Sequence, residues 1–489
     1  MVNIDEKSVL DSVAKTLFIG GKWRPASNGA VFKVEDPSTR LTIAEVADAT
    51  AKDASDALDA CVSVQNSWAN TPPRVRGEIL RRAFELIVAR SDELALLMTL
   101  EMGKPVAESK GEVAYAAEFF RWFSEEAVRI NGDYYTAPDG NARVMTLRQP
   151  VGPSLLITPW NFPLAMGTRK IGPALAAGCT VIVKPAEQTP LCMAALMSIL
   201  EEAGLPPGVV NMITSSDPGA VTAPLIGDSR LRKLSFTGST EVGKLLMSQA
   251  SGGLLRLSME LGGNAPLLVF ADSDLDKAVN GAVFAKMRNM GEACTSANRI
   301  FVESSIVEEF SQRLATAMSD LKVGRGTQDG VQVGPLIDQP AIDKVTSLID
   351  DATSKGARVV TGGSKLDMSG YFYSPTVLVG VESTWRIAQE EIFGPIAPIY
   401  SFSSEDEAIA MANNTNYGLV AYLFTENLNR ALRVTEKLET GMIGLNQGLV
   451  SNAAAPFGGV KQSGFGREGG FEGINEYLYI KYIAINHKS

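Results

Sequence analysis

Histidine is all but missing: the 489 residues hold a single one, His487, close to the C-terminal end. A Cys-His or Ser-His pair would require those last residues to fold back into a site. A nucleophile elsewhere must therefore draw its base from another residue type. Cysteine is scarce as well. Cys61, Cys179, Cys192 and Cys294 lie far apart and none forms a CxxC pair, which argues against a disulfide framework and against a zinc site. No metal is expected. No apolar stretch approaches the ~18 residues of a membrane span, and the opening MVNIDEKSVLDSV lacks the basic region and apolar core of a signal peptide. The expectation is a cytoplasmic protein without a membrane partner. Basic runs are absent too: 45 Lys and Arg face 55 Asp and Glu, for a net charge of −10. Nucleic acid is excluded as a partner on that account, and an anionic small substrate would need a local arginine site working against the global field.

A chain of this length exceeds one simple core, so two or three domains are expected. Residues 1–50 read as a short acidic arm and hairpin-like pieces around the Gly20-Gly21 turn. From Asp53 to Arg129 apolar residues recur at helical spacing, with a break at the capping signal Ser91-Asp92 and a stop at Gly103 and Pro105. Asn131–Gln149 reads as a β-hairpin about Asp139-Gly140. Tyr477–Ile485 alternates in the same way, and inter-subunit pairing with that ribbon is the expectation, because exposed edge strands need cover.

From Val151 the pattern becomes α/β. Short apolar runs at 154–158, 180–184, 209–213 and 233–237 alternate with helical stretches, which implies βαβ crossovers and a parallel sheet. One helix is marked by Thr189 as its cap, Pro190 as its first residue and Gly204 as its end. After Gly262 a second α/β unit follows: NRIFVE, ARVVTGG, GLVAYLF and GMIGLN read as strands, and Glu308–Leu321, Ala341–Lys355 and Leu428–Leu438 as helices. The breaker-rich 446–468 segment reads as an ordered loop over a site.

Two residues carry the chemistry. Glu260 precedes a Gly-Gly-Asn turn, and Cys294 follows 34 residues later. An acid that acts as base and a thiol that acts as nucleophile are the minimum for covalent acyl chemistry. Cys294 stands among Gly291, Thr295 and Ser296, an open, polar setting, whereas Cys61, Cys179 and Cys192 read as buried small hydrophobes. Glu292 would disfavour the thiolate if it faced the sulfur. The strand-to-helix turn at Gly238-Ser239 is suited to a pyrophosphate, yet its G-x-x-x-x-G spacing reads equally as a plain tight turn. Lys184 at a strand end, reaching ribose or phosphate oxygens, and Glu187, accepting from ribose hydroxyls, favour the nucleotide reading.

On Pro159–Pro163, Lys184–Glu187, Phe236–Ser239, Glu260–Asn264, Gly291–Cys294, Glu391–Pro395 and Pro456–Gly459, the chain resembles the NAD(P)-dependent aldehyde dehydrogenase superfamily over nearly its full length. The order and separations fit, including 76 residues from Lys184 to Glu260. The family usually has Gln at the place of Glu292, a departure that bears on thiolate tuning. The resemblance implies two α/β parallel-sheet domains, a Rossmann-like cofactor domain (1–127 and 151–261) and a catalytic domain (262–460), with a β-ribbon oligomerisation element (128–150 and 468–489) in a homodimer or homotetramer. It implies Cys294 as nucleophile, Asn161 and the Cys294 N–H as oxyanion donors, and Glu260 as the base for hydrolysis. Lys184 and Glu391 would bind ribose hydroxyls (Lys184 counting as catalytic too), Gly238 and Ser239 a phosphate, with Trp160 and Phe393 shaping the cofactor site. Within the superfamily the chain is most similar to succinate-semialdehyde dehydrogenases, through Arg169, Arg288 and Ser451, which there grip a distal carboxylate; a guanidinium offers that group a planar fork. Glu187 favours NAD by repelling a 2′-phosphate, with NADP still admissible. Glutarate semialdehyde, or an aromatic or aliphatic aldehyde, is the alternative substrate, and a cysteine hydrolase without redox chemistry the alternative class. Some members pair the nucleophile with a second cysteine as a disulfide switch; Ser296 stands there instead, so no such switch is expected.

Overall fold

Five short runs rich in Val, Leu, Ile and Met, Val210–Met212, Val181–Lys184, Ser154–Ile157, Lys233–Thr237 and Arg256–Glu260, lie side by side in that order as parallel strands in the computed structural model, which describes residues 5–486. Every residue of the Val181–Lys184 and Lys233–Thr237 strands is buried, which explains why they read as continuous rather than alternating apolar runs. Antiparallel pieces complete an eight-stranded sheet: Leu17–Ile19 and Lys22–Arg24 at one edge, Gly464–Phe465 at the other. From Ser154–Ile157 the chain winds outward through two strands, then returns to lay Lys233–Thr237 on the other side. Strand order therefore reverses between these two, and a crevice opens beyond their carboxyl ends.

A second, seven-stranded sheet runs Arg358–Thr361, Thr376–Val379, Ile396–Phe402, Ala297–Glu303, Ala265–Val269, Val420–Phe424, Met442–Leu445, parallel except for its first strand. It carries its own hydrophobic core, and two further clusters line the faces of the first sheet. The helices expected at 308–321, 341–355 and 428–438 are found as Val307–Ser319, Gln339–Ser354 and Leu428–Lys437.

All thirteen residues of the Ala165–Ala177 helix are buried, Arg169 and Lys170 included. Its first N–H groups are held by a carboxylate from the Val106–Glu126 helix: Leu164 and Ala165 donate to Glu112 Oε1 at 3.0 and 3.1 Å. The Leu191–Glu202 helix is closed in the same fashion. Thr189 was the expected cap, but its hydroxyl donates to the Trp160 carbonyl at 3.4 Å. Glu101, from the neighbouring Ser91–Met102 helix, accepts from Leu191 N and Cys192 N at 2.7 and 2.8 Å instead. A carboxyl group already buried beside the helix start displaces a local hydroxyl.

The ribbon strands Tyr134–Thr136 and Ala142–Pro150 form as expected, but Leu478–Asn486 pairs with the second of them inside the same chain, from Leu478 opposite Pro150 to Asn486 opposite Ala142. The cause is local: Val151 N donates to the Tyr477 carbonyl at 3.0 Å, which delivers the late strand to the ribbon's edge. Tyr134, Tyr135, Ile480 and Tyr482 remain exposed on this three-stranded sheet. His487 lies outside the described residues. Among those described, no helix is long and apolar enough to cross a membrane.

Candidate active site

Both strands at the reversal end in functional loops. Ser154–Ile157 runs into Thr158-Pro159-Trp160-Asn161, and Lys233–Thr237 into Gly238-Ser239. Together with the Cys294 loop they border a cavity of about 340 Å³, which Asn161, Trp160, Glu391, Phe393, Arg169, Arg288 and Ser451 also line. Cys294 is half-buried and opens on it, whereas Cys61, Cys179 and Cys192 are buried.

The Cys294 loop is held under backbone strain. Asn289, Met290 and Gly291 take φ of 53°, 55° and 80° in succession, a left-handed conformation that costs non-glycine residues on the order of 1 kcal/mol or more each. Asn289 supports it: its side-chain amide donates to the Asn161 and Glu292 carbonyls at 3.0 and 2.9 Å, and its N–H donates to Glu108 at 2.9 Å. Lys104 Nζ, paired with Glu112, donates to the Asn161 carbonyl at 2.8 Å. Asn161 Nδ2 donates to the Glu292 carbonyl at 3.0 Å, which turns its amide to the Cys294 loop. A side chain at Gly263 would strike the Cys294 carbonyl, so this glycine permits the close approach of the two loops. The Glu292 carboxylate accepts from Ile337 N at 3.1 Å, and the largest charge effects on the thiol come from Arg169, Glu391, Glu260 and Arg288. Cys294 opens on the cavity as expected, yet the surrounding protein desolvates its thiol and pushes its pKa up to about 12, against the pull of Arg169 and Arg288. The resting thiol is neutral and must lose its proton before it attacks.

Glu260 lies near enough for its charge to raise the thiol's pKa further, although it does not line the cavity. It ends the Arg256–Glu260 strand, buried, with neither carboxylate oxygen hydrogen-bonded. Burial, then the nearby Glu468, holds its carboxyl well above the usual range. Glu468 itself is drawn below that range despite its burial, by Arg169 and Lys170; Lys170 Nζ lies 2.5 Å from it. Gly458 passes so near that a Cβ there would lie 2.9 Å from Glu260 Oε1.

At the cavity's other side, Glu391 Oε1 accepts from Gly263 N at 2.8 Å, and the Trp160 and Phe393 rings meet edge to face at 5.4 Å. Ser239, exposed, caps the Thr240–Ser251 helix by accepting from Val242 N at 3.3 Å. Gly238 leaves no room for a Cβ, which would lie 2.5 Å from the Phe236 ring. Lys184 and Glu187 do not line the cavity; they form an ion pair of 3.2 Å at the end of the neighbouring strand, with Glu187 partly exposed. Burial lowers the Lys184 pKa. The helix N-terminus at Ser239, the Glu391 carboxylate, the Trp160 and Phe393 rings and the Lys184–Glu187 pair fit a dinucleotide laid across the strand ends.

The remaining end holds the two arginines. Arg288 Nη1 donates to Ser451 Oγ at 3.0 Å, and its guanidinium lies 4.7 Å from the Phe162 ring centre. Arg169 is paired with Glu468 and lies 4.2 Å from the Phe457 ring centre. Beside them is a residue the motifs did not single out: Tyr115, whose hydroxyl is buried without a partner. Its only signal is a place on the inner face of a long helix, indistinguishable in sequence from core packing. Lys104, Lys170, Glu112 and Glu468 were missed as well, because each acts through a partner far away in the chain that its local sequence does not reveal.

The aldehyde dehydrogenase family model matches residues 23–483. The chain is 59% identical to a succinate-semialdehyde dehydrogenase of Paenarthrobacter nicotinovorans over 91% of this chain and 98% of that one. It is 48% identical to a glutarate-semialdehyde dehydrogenase of Pseudomonas putida, over 96% and 97%. Its fold superposes on the crystal structure of an Escherichia coli NADP-dependent enzyme with a TM-score of 0.96 at 46% identity, covering 97% of this chain and 98% of that one.

Proposed function

The chain belongs to the aldehyde dehydrogenase family and is an NAD(P)-dependent aldehyde dehydrogenase, and we propose that it oxidises succinate semialdehyde to succinate, with NAD as the preferred cofactor. The observation that carries this is the cavity itself: one sulfur opens on it, and its lining brings together Trp160, Phe393 and Glu391 with Arg169, Arg288 and Ser451.

Cys294, its proton lost to water in the cavity on which it opens, adds to the aldehyde carbon, giving a thiohemiacetal whose oxyanion is received by the second N–H of the Asn161 amide and by the Cys294 N–H; one such donor is worth roughly 10²–10³ in rate. The bound nicotinamide supplies the hydride acceptor. Glu391 and Lys184 would hold ribose hydroxyls, Gly238 and Ser239 would bind a phosphate, and Trp160 and Phe393 would help shape the cofactor site. The acyl group is left on Cys294 as a thioester, and Glu260, free of any fixed partner, takes a proton from the water that hydrolyses it. Arg169, Arg288 and Ser451 form the end of the pocket that selects a distal carboxylate. Glu187 favours NAD, since its carboxylate accepts from a 2′-hydroxyl and repels a 2′-phosphate.

The 1–127 and 151–261 segments then serve as the dinucleotide-binding domain and 262–460 as the catalytic one. The exposed aromatic face of the ribbon, 128–150 with 468–489, associates two or four copies of this cytoplasmic enzyme. A relative acting on glutarate semialdehyde at 48% identity makes the five-carbon semialdehyde the second reading. Initial rates on succinate and glutarate semialdehydes, butanal and benzaldehyde, each with NAD and NADP, test all of this. The highest kcat/KM is expected for succinate semialdehyde with NAD. Equal turnover of butanal would overturn the carboxylate reading, and a preference for NADP the role of Glu187.

A further inference from the structure

Asn161 is held twice, once by its side chain and once by its main chain. Its Nδ2 donates to the Glu292 carbonyl at 3.0 Å, while its Oδ1 is buried without a partner. Only the N–H end of an amide can face a carbonyl, so this bond sets which way the group points. Where the group sits is set by the main chain. The Asn161 carbonyl accepts from Asn289 Nδ2 at 3.0 Å and from Lys104 Nζ at 2.8 Å.

Lys104 reaches Asn161 from a distant turn. It follows Gly103, whose φ of 94° turns the chain between the Ser91–Met102 and Val106–Glu126 helices, and it is 1% exposed. Its ammonium meets the Asn161 carbonyl, Glu112 at 2.5 Å, and the Phe162 ring, whose centre is 4.2 Å away. The other oxygen of Glu112 receives the Leu164 and Ala165 N–H groups. One buried ion pair therefore grips the 161–165 segment by a carbonyl, a ring and both of those N–H groups. A pair serving stability alone can be replaced by apolar side chains at little cost. This one directs a charged donor at the carbonyl of the residue that carries the amide, and such bonds are roughly twice as strong as neutral ones.

The backbone beneath Lys104 is anchored as well. Neither Gly326 nor Gly334 has room for a Cβ, which would strike the Lys104 and Gly103 carbonyls respectively. Shortly beyond Gly334, Ile337 N donates to the Glu292 carboxylate, and the Glu292 carbonyl receives the Asn161 amide. Contacts thus run from Lys104 to Asn161, on to Glu292 and Ile337, and back to Lys104.

Resting on the reading of Asn161 as an oxyanion donor, we propose that Lys104 is the positioning residue for it. The ammonium, seated by Glu112, fixes the Asn161 main chain so that the second N–H of the amide meets the oxygen of the thiohemiacetal. Through Glu292, the ring of contacts ties that placement to the Cys294 loop.

The test is a double-mutant cycle on kcat/KM for succinate semialdehyde and for butanal, with NAD binding measured by calorimetry. Lys104→Met keeps the length of the side chain and removes its donor. It is expected to lower kcat/KM roughly 10–10²-fold on both aldehydes, the scale of a displaced catalytic group, and to leave the NAD Kd within about threefold. Because it strands a buried carboxylate, Lys104→Met/Glu112→Gln is made beside it, which keeps an acceptor for Leu164 and Ala165 and should show the same loss. Asn161→Ala is expected to cost roughly 10²–10³. Added to Asn161→Ala, either Lys104 change should cost less than about threefold more, since no amide is left to place. A full further loss in that background would show Lys104 acting on the fold at large, and would overturn the proposal. Undiminished kcat/KM in the Lys104 variants would overturn it too. An Asn161→Ala enzyme with unaltered kcat/KM would instead overturn the oxyanion reading, and this proposal with it.

Discussion

Replacing Glu260 by Gln isolates the hydrolytic half of the reaction. The change is nearly isosteric, and the carboxylate oxygens have no hydrogen-bond partner to lose, so folding should be little affected. What disappears is a proton acceptor, and positioned general bases contribute roughly 10²–10⁴ in rate. Rapid mixing with succinate semialdehyde and NAD, followed at 340 nm, should show a burst of NADH stoichiometric with active sites, then a steady state slower by roughly 10²–10⁴. In the unaltered enzyme, burial holds the Glu260 carboxyl well above its usual range, and only the deprotonated form acts as base. Steady-state kcat should therefore climb as pH rises through that elevated pKa, and the Glu260→Gln variant should lack this limb. A variant whose steady-state rate stayed within about fivefold of the unaltered enzyme, with the pH limb intact, would refute the assignment.

Gly458→Ala would place a Cβ 2.9 Å from Glu260 Oε1 and 2.7 Å from the Gly466 carbonyl; displacing the base should cost roughly 10–10² in steady-state kcat, and an unchanged kcat would show that the close approach is irrelevant. Burial pushes the Glu101 carboxyl from 4.5 to about 7, so the folded chain binds this proton more tightly than the unfolded one. That contribution is complete below the unfolded pKa, lost as pH rises through about 7, and worth at most roughly 3 kcal/mol. The melting temperature should consequently fall more between about pH 5 and about pH 8 in the unaltered protein than in Glu101→Gln, and parallel curves would contradict this. Mild peroxide should oxidise Cys294 without forming an intramolecular disulfide, because the other three cysteines are buried and Ser296 is the neighbour two residues on; a Cys294 disulfide in non-reducing peptide maps would refute it.

Much of the fold was legible because buried parallel strands leave an unmistakable mark: Lys233–Thr237 appears with the boundaries its apolar run implies. Four of the longer strands of the two main sheets escaped, Arg256–Glu260 and Thr376–Val379 among them, and two of the four are hidden by proline. Ala265–Val269 is a central strand despite Pro266, which sits where the register shifts, and Ile396–Phe402 accommodates Pro398. The Thr189 cap and the inter-subunit pairing of Leu478–Asn486 misled for a common reason: local pattern names a partner type, and the chain's long-range course decides which one arrives. At the site, Cys294, Glu260, Asn161 and the aromatic pair stand out as motif residues. Lys104, Glu112, Asn289 and Glu468, which fix their positions, do not. Their importance comes from contacts made across 52 residues or more, such as Glu112 with Leu164 or Lys170 with Glu468.

The most direct measurement is intact-protein and peptide mass spectrometry of Glu260→Gln, quenched just after mixing with succinate semialdehyde and NAD. A succinyl group on Cys294, appearing in step with NADH and absent without the cofactor, is the expected result. NADH formed with no acyl group on that cysteine, or an acyl group found on another residue, would contradict the account.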